Sequence, residues 1–255
     1  MRVAVAGGTG LIGRLVVARL AEAGHDVAVL ARARGVDLTT GAGLDAALDG
    51  CRVVVDVTNT GTMSARRARD FFGGVTRHLL AAGGRAGVEH VLALSIVGVD
   101  RVGLGYYRGK LHAEEVLAAG PLPWTVLRAT QFHQFAGQYL ARGRGPVALV
   151  PRFPSRPVAA AEVADRLVAL ALGPAAGRAT PIAGPEVIGL PELARRLLRA
   201  RGSRRLVVPV PVPGAAGRAA ARGGLLPDGP YLRGVQTYAE YLRTDVARDH
   251  QGAAR

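Results

Sequence analysis

The chain has 255 residues, 49% of them hydrophobic, and its 33 Lys and Arg against 19 Asp and Glu give a net charge of +14. This composition excludes a disordered or collagen-like chain and fits one large α/β domain, or a main domain with a small lobe. The single cysteine, Cys51, excludes an intramolecular disulfide and a cysteine-based metal cluster.

The start of the chain and its apolar runs bear on where the protein resides. The sequence Met-Arg-Val-Ala-Val-Ala goes directly into a Gly-rich turn, which leaves no room for a signal peptide. No apolar run approaches the roughly 20 residues that cross a membrane. Together with the single cysteine, these features lead us to expect a cytoplasmic protein with no membrane partner.

The basic charge raises the question of nucleic acid, but its distribution argues against that partner. The arginines are spread along predicted helices and linkers, without a helix-turn-helix, a zinc finger or a basic stripe interleaved with aromatics. The six histidines form no pair at metal-ligand spacing, so we also expect no metal. We expect a small-molecule substrate and an anionic cofactor, in a monomer or a homodimer.

Strands and helices alternate along the first half of the chain. Short apolar runs predict strands at 2–6, 26–31, 52–57, 90–95 and 124–128. Apolar residues at helical spacing predict helices at 11–23, 106–119 and from about 131, with Gly24 at the end of the first. Such alternation predicts an α/β fold with a doubly wound parallel sheet.

The rhythm changes beyond residue 143, where four prolines between positions 146 and 157 break the chain into short pieces. Helices are predicted at 160–172 and 191–200, and the Pro-containing run 206–212 is typical of an edge strand. We therefore predict a main domain over 1–142, a small substrate lobe over 143–235 and a C-terminal helix and tail over 236–255, the helix spanning about 236–248.

The turn Gly7-Gly8-Thr9-Gly10-Leu11-Ile12-Gly13 joins the first strand to the first helix and satisfies both G-x-G-x-x-G and G-x-x-G-x-x-G. Glycine permits the tight turn, brings the backbone close to a pyrophosphate and allows close packing of helix and strand. The helix N-terminus then offers its amides to the phosphates. In this strand-turn-helix context, the motif predicts a Rossmann dinucleotide site.

The end of the second strand indicates which dinucleotide binds. An NAD site normally has Asp or Glu there for the ribose 2′-hydroxyl, whereas an NADP site has arginine for the 2′-phosphate. This chain has Arg32 and Arg34 and no carboxylate at that strand end. We therefore expect NADPH or NADP⁺ in preference to NADH, with an ordinary surface role for these arginines as the alternative.

From residue 1 to about 140, the sequence resembles the atypical short-chain dehydrogenase/reductases, in particular the NmrA-like NAD(P)H-binding proteins. The segments that carry the resemblance are Gly7 to Gly13, Arg32, Asp37-Leu38, Val55-Asp56-Val57-Thr58-Asn59, Ser95-Ile96-Val97-Gly98, Tyr106-Tyr107-Arg108-Gly109-Lys110 and Leu127-Arg128-Ala129-Thr130-Gln131-Phe132.

The resemblance implies positions for several cofactor contacts. It implies that Asp37 and Leu38 lie near the adenine, that Thr58 and Asn59 line the ribose and pyrophosphate, and that the segment from Thr130 to Phe132 lies near the nicotinamide. A cap of a helix or turn is the alternative for Asp37. Turn-forming roles are the alternative for Thr58 and Asn59.

Tyr106 and Lys110 are four residues apart on a predicted helix, so both side chains reach the same face. This spacing suits the short-chain dehydrogenase arrangement, in which the ammonium lowers the tyrosine pKa and holds the nicotinamide ribose while the phenol donates a proton. Lys110 is the only lysine, and all 32 other basic residues are arginine. Because arginine serves wherever a generic positive charge suffices, we expect Lys110 to have a specific chemical role.

Other residues are candidates for substrate contacts. Ser95, at the end of its strand, is placed to hydrogen-bond a substrate carbonyl, or else its hydroxyl satisfies local backbone. Only ten residues separate Ser95 from Tyr106, fewer than is usual in the active members of the family. Phe132, His133 and Phe135 are candidates for an aromatic wall over the nicotinamide, with amphipathic helix packing as the alternative.

The leading prediction is an NADPH-dependent oxidoreductase that reduces a carbonyl, quinone or enone of a small organic molecule. One alternative is a cofactor-sensing protein of NmrA-like type that binds NADP(H) without turnover. Another is an isomerase or cyclase on the same scaffold. The Tyr106 and Lys110 pair favours the enzyme, because a sensor needs no proton donor.

Overall fold

The structure, a computed structural model, describes residues 1–141, 143 and 145–244. Its strands in chain order are β1 (Arg2–Ala6), β2 (Asp26–Leu30), β3 (Cys51–Asp56), β4 (His90–Ile96), β5 (Trp124–Ala129), β6 (Val147–Pro151), β7 (Pro154–Ser155), β8 (Gly177–Arg178), β9 (Ile182–Ala183), β10 (Ile188–Gly189), β11 (Leu206–Val210) and β12 (Leu232–Arg233). Its helices are α1 (Leu11–Glu22), α2 (Leu44–Leu48), α3 (Ala65–Arg85), α4 (Gly105–Ala118), α5 (Phe135–Leu140), α6 (Ala160–Ala171), α7 (Leu190–Ala200), α8 (Gly214–Ala221) and α9 (238–244), and a 3₁₀ turn spans Arg32–Arg34.

The chain divides into two compact units. The first comprises Met1–Ala129 and Ala160–Pro181, and the second comprises Thr130–Ala159 and the chain from Ile182 onward. This division differs from the predicted boundary at 142/143, because α6 and β8 belong to the first unit. The buried apolar stripe of α6 packs on α1, and Arg19 of α1 donates a hydrogen bond to Asp165.

The first unit contains a parallel sheet in the order β2-β1-β3-β4-β5-β8. The doubly wound α/β prediction is thereby confirmed. The order reverses at β1, which pairs with β2 on one side and β3 on the other. The turn after β1 and the end of β3 therefore lie side by side at the carboxyl edge, at the switch point where such sheets bind ligands.

Helices cover this sheet in two groups, α1 with α6 and α3 with α2 and α4. Strand residues such as Val5, Val54 and Leu92 are fully buried, as expected of parallel strands that are covered on both faces. The 21-residue α3 has no counterpart among the predicted elements. Glycine and arginine occupy many of its positions, which dilutes the apolar pattern that would have indicated a helix.

Most predicted elements begin and end within two residues of the observed ones, and Gly24 takes the left-handed conformation, with φ +77°, just after α1. The helix predicted from about 131 is wrong by four residues, because α5 begins at Phe135. The residues before it are extended, since Gln131 O accepts a hydrogen bond from Val158 N and Val158 O accepts one from His133 N. Strand pairing therefore replaces the first helical turn.

The second unit contains three small strand pairs and four helices within its described residues. β6 and β11 pair in parallel, β7 and β10 antiparallel, and β9 and β12 in parallel. Within the described chain, β6 is the only partner of β11, so the edge-strand prediction for 206–212 is confirmed. The last predicted helix is observed as α9, and residues 245–255 lie outside the described part of the chain.

Candidate functional site

The turn between β1 and α1 has the geometry that its glycines predict. Gly7 has φ +80°, and its carbonyl accepts a hydrogen bond of 3.0 Å from Gly10 N. A Cβ on Gly13 would overlap the carbonyl oxygen of Gly7 and lie 2.6 Å from the Cα of Gly8. The turn folds this tightly against the helix because Gly13 has no side chain.

The N-terminus of α1 is open to an anion. Its N-cap, Gly10, provides no side-chain hydrogen bond, and the first turn carries no acidic residue. Thr9 and Gly10 are exposed, Leu11 is half-buried, and Ile12 is buried in the core. The backbone amides of this turn are therefore the groups that can meet a pyrophosphate, assisted by the helix dipole.

Arg32 and Arg34 stand on the exposed 3₁₀ turn directly after β2. The Nε of Arg32 lies 3.5 Å from Oδ2 of Asp37, and its side chain is 75% exposed. Oδ1 of Asp37 accepts hydrogen bonds from the hydroxyl and the amide N–H of Thr39, and these bonds hold the pKa of Asp37 below its usual value. Asp37 therefore caps its own turn and also faces Arg32, while Leu38 is partly buried against the core.

Polar residues continue the site at the end of β3. The buried Asp56 accepts a hydrogen bond of 2.8 Å from Thr58 N. Thr58 is 5% exposed, and its hydroxyl has no hydrogen-bond partner among the described residues. Oδ1 of Asn59 accepts hydrogen bonds from Thr60 N and from the Tyr106 hydroxyl. A Cβ on Gly7 would lie 3.0 Å from Thr58 N, so this loop and the glycine turn are in contact.

Lys110 joins the ends of β3 and β4. Its Nζ donates hydrogen bonds of 3.1 Å to Thr58 O and 3.0 Å to Leu94 O, and the residue is 8% exposed. Burial lowers the pKa of Lys110, while the charges of Asp56 and Glu114 act in the opposite direction. The predicted helix face is confirmed, since Tyr106 and Lys110 both lie on α4 with the spacing of one turn.

The expected effect of Lys110 on the pKa of Tyr106 is wrong. Burial raises the pKa of Tyr106 well above 10.0, and Tyr107 adds to the rise. The ammonium of Lys110 instead engages two backbone carbonyls and the ring of Phe72. Tyr106 is therefore a neutral phenol over the whole physiological pH range, and its hydroxyl donates to Asn59 over 2.7 Å.

Ser95 lies near the carboxyl end of β4 and is 4% exposed. Its Oγ has no hydrogen-bond partner among the residues that the structure describes. The alternative role of Ser95, a hydrogen bond from its hydroxyl to the local backbone, is therefore not observed in the described part of the chain. A buried hydroxyl without a partner is costly unless a ligand or water completes it. Ser95 and Thr58 thus supply two such hydroxyls, near the ends of β4 and β3.

The remaining candidate residues belong to the second unit. The hydroxyl of Thr130 donates to Arg156 O over 2.5 Å, and Phe132 is half-buried. His133 is 1% exposed, stacks on Tyr241 and lies 3.2 Å through Nε2 from Gln236 O. The half-buried ring of Phe135 lies near Tyr139 on the same short helix. His133 therefore packs in an aromatic cluster, in the extended stretch before α5 and not on an amphipathic helix.

Other classes of site are absent from the described parts of the chain. No group of three His, Cys, Asp or Glu side chains there is arranged to hold a metal ion. None of the described helices combines the length and apolar character that a membrane span requires.

A family model for NAD(P)H-binding proteins matches residues 33–174, which is more than half of the chain. The chain belongs to this NAD(P)H-binding family. A curated relative is the (4-alkanoyl-5-oxo-2,5-dihydrofuran-3-yl)methyl phosphate reductase of Streptomyces griseus. It is 30% identical over 217 residues, which cover 78% of this chain and 73% of the relative.

Solved structures support the same fold over most of the chain. The protein MoeE5 in complex with UDP-glucose and NAD has a TM-score of 0.76 at 18% identity, covering 99% of this chain and 100% of its own. The NADPH-dependent quinone oxidoreductase of Escherichia coli in complex with NADPH has a TM-score of 0.71 at 20% identity, covering 95% and 99%. At these identities the likeness concerns the fold.

The residues at the carboxyl edge of the first unit fit an NAD(P)H cofactor. The amides at the N-terminus of α1 are hydrogen-bond donors that suit its pyrophosphate, and the exposed arginines after β2 suit its adenosine end. The hydroxyl of Thr58, which has no partner among the described residues, suits its ribose. Sequence reasoning assigned no role to three residues of this region. They are Arg14, whose guanidinium donates to Thr9 O over 2.7 Å, Phe72, and Asp56, which appeared only within a segment of the family resemblance. Asp56 ends its strand just before Thr58 and Asn59, and this position could have indicated a role in the site. No sequence feature indicated a role for Phe72.

Proposed function

We propose that this protein is a reductase that uses NADPH to reduce a carbonyl, quinone or enone of a small organic molecule. The observation that carries the proposal is the position of the only lysine. Lys110 is buried one helical turn from Tyr106 and is hydrogen-bonded to the backbone just beyond β3 and within β4, next to the loop that touches the glycine turn. A buried ammonium is costly, so its presence at this position supports a catalytic or cofactor-binding role for Lys110.

Several groups bind and orient the cofactor in this proposal. Apart from that of Gly10, which donates to Gly7 O, the amides of the turn from Thr9 to Gly13 hold the pyrophosphate. Arg32 and Arg34 hold the 2′-phosphate. An ammonium has three N–H donors, and Lys110 uses two of them on Thr58 O and Leu94 O. The third is proposed to donate to a hydroxyl of the nicotinamide ribose. The bound cofactor supplies a hydride to the substrate.

Tyr106 acts as the general acid. Its raised pKa keeps the phenol protonated, and its hydroxyl already donates to a neutral amide oxygen, that of Asn59. A substrate oxygen that gains negative charge is a stronger acceptor than an amide oxygen. The substrate oxygen therefore replaces Asn59 as the acceptor of the hydrogen bond from Tyr106 and then receives the proton. The buried hydroxyl of Ser95 is proposed to donate a second hydrogen bond to the same oxygen.

Among the three substrate types, the enone has direct support from a relative. The Streptomyces griseus enzyme is named for a dihydrofuran-5-one that bears an alkanoyl group, in which the ring double bond is conjugated to carbonyl groups. Addition of a hydride to the β-carbon of such a double bond would give an enolate, whose negative charge lies largely on a carbonyl oxygen. Tyr106 would protonate this oxygen, and the resulting enol would tautomerise to the saturated carbonyl compound. A phosphate on the substrate would also suit the basic character of this chain.

The experiment follows NADPH oxidation by absorbance with a panel of alkanoyl butenolides, enones, quinones and ketones. We expect turnover of at least one class, and a loss of roughly 10²- to 10⁴-fold in kcat for Tyr106→Phe, because a positioned general acid contributes that much. Tyr139→Phe, which removes a phenol from α5 in the second unit, is the matched control. A substrate reduced at the wild-type rate by Tyr106→Phe would refute the role of the acid.

One observation favours the alternative of an NADP(H)-sensing protein without turnover. The hydroxyl of Tyr106 is engaged by Asn59, and burial raises its pKa, so the phenol is a weaker acid than an ordinary tyrosine. A sensor predicts tight NADPH binding, no turnover of any compound in the panel, and equal NADPH affinity in the wild type and Tyr106→Phe.

A further inference from the structure

We propose that Phe72 is a positioning residue, an aromatic platform that holds the ammonium of Lys110 and the phenol of Tyr106 in their working arrangement. The functional part of this inference rests on the proposed function, because it concerns the two groups assigned there to the cofactor and to proton donation. The structural part concerns one ring and two side chains, and it can be tested without a substrate.

The ring of Phe72 contacts both groups. Phe72 lies on α3 and is 1% exposed. The Nζ of Lys110 lies 4.4 Å from the centroid of this ring, within the range of a cation–π interaction. The ring of Tyr106 meets it edge to face, with centroids 5.4 Å apart and an interplanar angle of 85°. One buried ring thus supports two side chains that stand one turn apart on α4.

The backbones of α3 and α4 approach closely enough to keep this ring in place. A Cβ on Gly109 of α4 would lie 2.6 Å from the carbonyl carbon of Ala68 on α3. A Cβ on Gly105 would overlap Met63 O and lie 2.9 Å from Ala65 N. Because two glycines set the separation of the helices, the distance from Phe72 to α4 has little freedom.

The charges around Lys110 explain why an aromatic ring is useful here. Burial disfavours the ammonium, and the charges that oppose this effect belong to Asp56 on β3 and Glu114 on α4. Glu114 also accepts two hydrogen bonds from Arg128, so the positive charge of Arg128 offsets part of its effect on Lys110. The titratable phenol of Tyr106 also contacts the ring of Phe72. The negative face of that ring favours the charged lysine without adding a charge or an acceptor that would draw the ammonium away from the ribose.

The test uses the fact that Lys110 is the only lysine in the chain. Protein grown with lysine labelled with ¹³C at Cε gives one lysine signal, whose shift reports the nearby ring and whose pH titration reports the ionisation of Lys110. In Phe72→Leu we expect the ring-current contribution to vanish and the midpoint to fall by about one pH unit, because the charged form loses its aromatic partner. Phe72→Tyr, which keeps a ring, should restore both.

Phe71→Leu is the matched control, since it makes the same chemical change at the neighbouring half-buried position. We expect its lysine signal and midpoint to equal those of the wild type. If Phe72→Leu does not fold, as judged by circular dichroism, Phe72→Met replaces it. An unchanged lysine signal and midpoint in the folded variant without the ring would overturn the inference.

The kinetic arm separates the inference from the proposed function. With a substrate found in the panel, Phe72→Leu should lower kcat by about tenfold while changing the Kd for NADPH and the KM by less than about twofold, because the ring orients the reacting groups. An equal loss in Phe71→Leu would contradict the positioning role. If no substrate is found, the proposed reductase function fails, whereas the lysine signal still decides whether Phe72 holds Lys110.

Discussion

The hydroxyl of Tyr106 donates a hydrogen bond of 2.7 Å to Oδ1 of Asn59, a residue 47 positions earlier in the chain. Asn59 lies just beyond β3 and Tyr106 lies in the first turn of α4, so this bond ties the loop at the sheet edge to the helix that carries Lys110. An amide oxygen carries no charge and therefore leaves the phenol protonated. The arrangement keeps a proton donor ready at the edge where the glycine turn lies.

The raised pKa of Tyr106 predicts a loss of stability at alkaline pH. Above its ordinary pKa of 10.0 the phenol ionises in the unfolded chain, while the folded chain keeps the proton. The stabilisation is complete below pH 10 and is lost as the pH rises toward the folded pKa, with a slope of at most about 1.4 kcal/mol per pH unit. Denaturant unfolding between pH 8 and 11 should show this slope in the wild type.

Tyr106→Phe should remove this contribution and give a flatter stability curve above pH 10. Tyr139→Phe removes a phenol from α5 in the second unit and serves as the control for the loss of a tyrosine. Identical slopes in the wild type and Tyr106→Phe would contradict the raised pKa.

A methyl group on Gly13 should disrupt the turn that we assign to the pyrophosphate. Because its Cβ would overlap the backbone of Gly7, Gly13→Ala must displace α1 from β1. We expect a loss of about 1–3 kcal/mol in the free energy of unfolding. We also expect NADPH to bind at least tenfold more weakly, as measured by calorimetry.

Gly74→Ala is the matched control, because its Cβ would meet nothing within 4 Å in the interior of α3. It should leave NADPH binding intact and stabilise the protein by up to about 1 kcal/mol through helix propensity. Undiminished NADPH binding by Gly13→Ala would show that the dinucleotide binds elsewhere.

Arg32 should give the protein a preference for NADPH over NADH. A charge-assisted hydrogen bond contributes about 1.5–3 kcal/mol, so Arg32→Ala should weaken NADPH binding tenfold or more and change NADH binding little. Oδ2 of Asp37 lies 3.5 Å from Nε of Arg32, so this carboxylate competes with the 2′-phosphate for the guanidinium. We therefore expect the wild-type preference for NADPH to lie near the lower end of this energy range. Fluorescence titration with both cofactors measures the difference.

Arg52→Ala controls for the loss of an arginine from an exposed ion pair. Arg52 is paired with Glu89, and it stands at the start of β3, at the opposite edge of the sheet from the glycine turn. Its removal should alter neither affinity. Equal affinities of the wild type for NADPH and NADH would refute the role of Arg32.

The sequence alone could not predict the contacts between distant segments of the chain. Asp37 could be assigned to the adenine or to a turn, and only its bonds to Thr39 show that it caps the turn. His133 could be a wall of the substrate site, yet it packs on Tyr241 from the far end of the chain. Phe72 gave no signal, because a phenylalanine on a helix is most often an ordinary core residue.

The sequence by itself determined the parts of this protein that depend on local geometry. A strand followed by Gly7 to Gly13 can close in few ways, and Tyr106 and Lys110 share a face because helical residues four apart always do. Only the tertiary structure decided what those side chains meet. Lys110 donates to the carbonyls of Thr58 and Leu94, and the pKa of Tyr106 is set by burial and not by the ammonium. The reason is physical, since burial and long-range hydrogen bonds arise from the order of the strands and the separation of the helices, which no short stretch of sequence specifies.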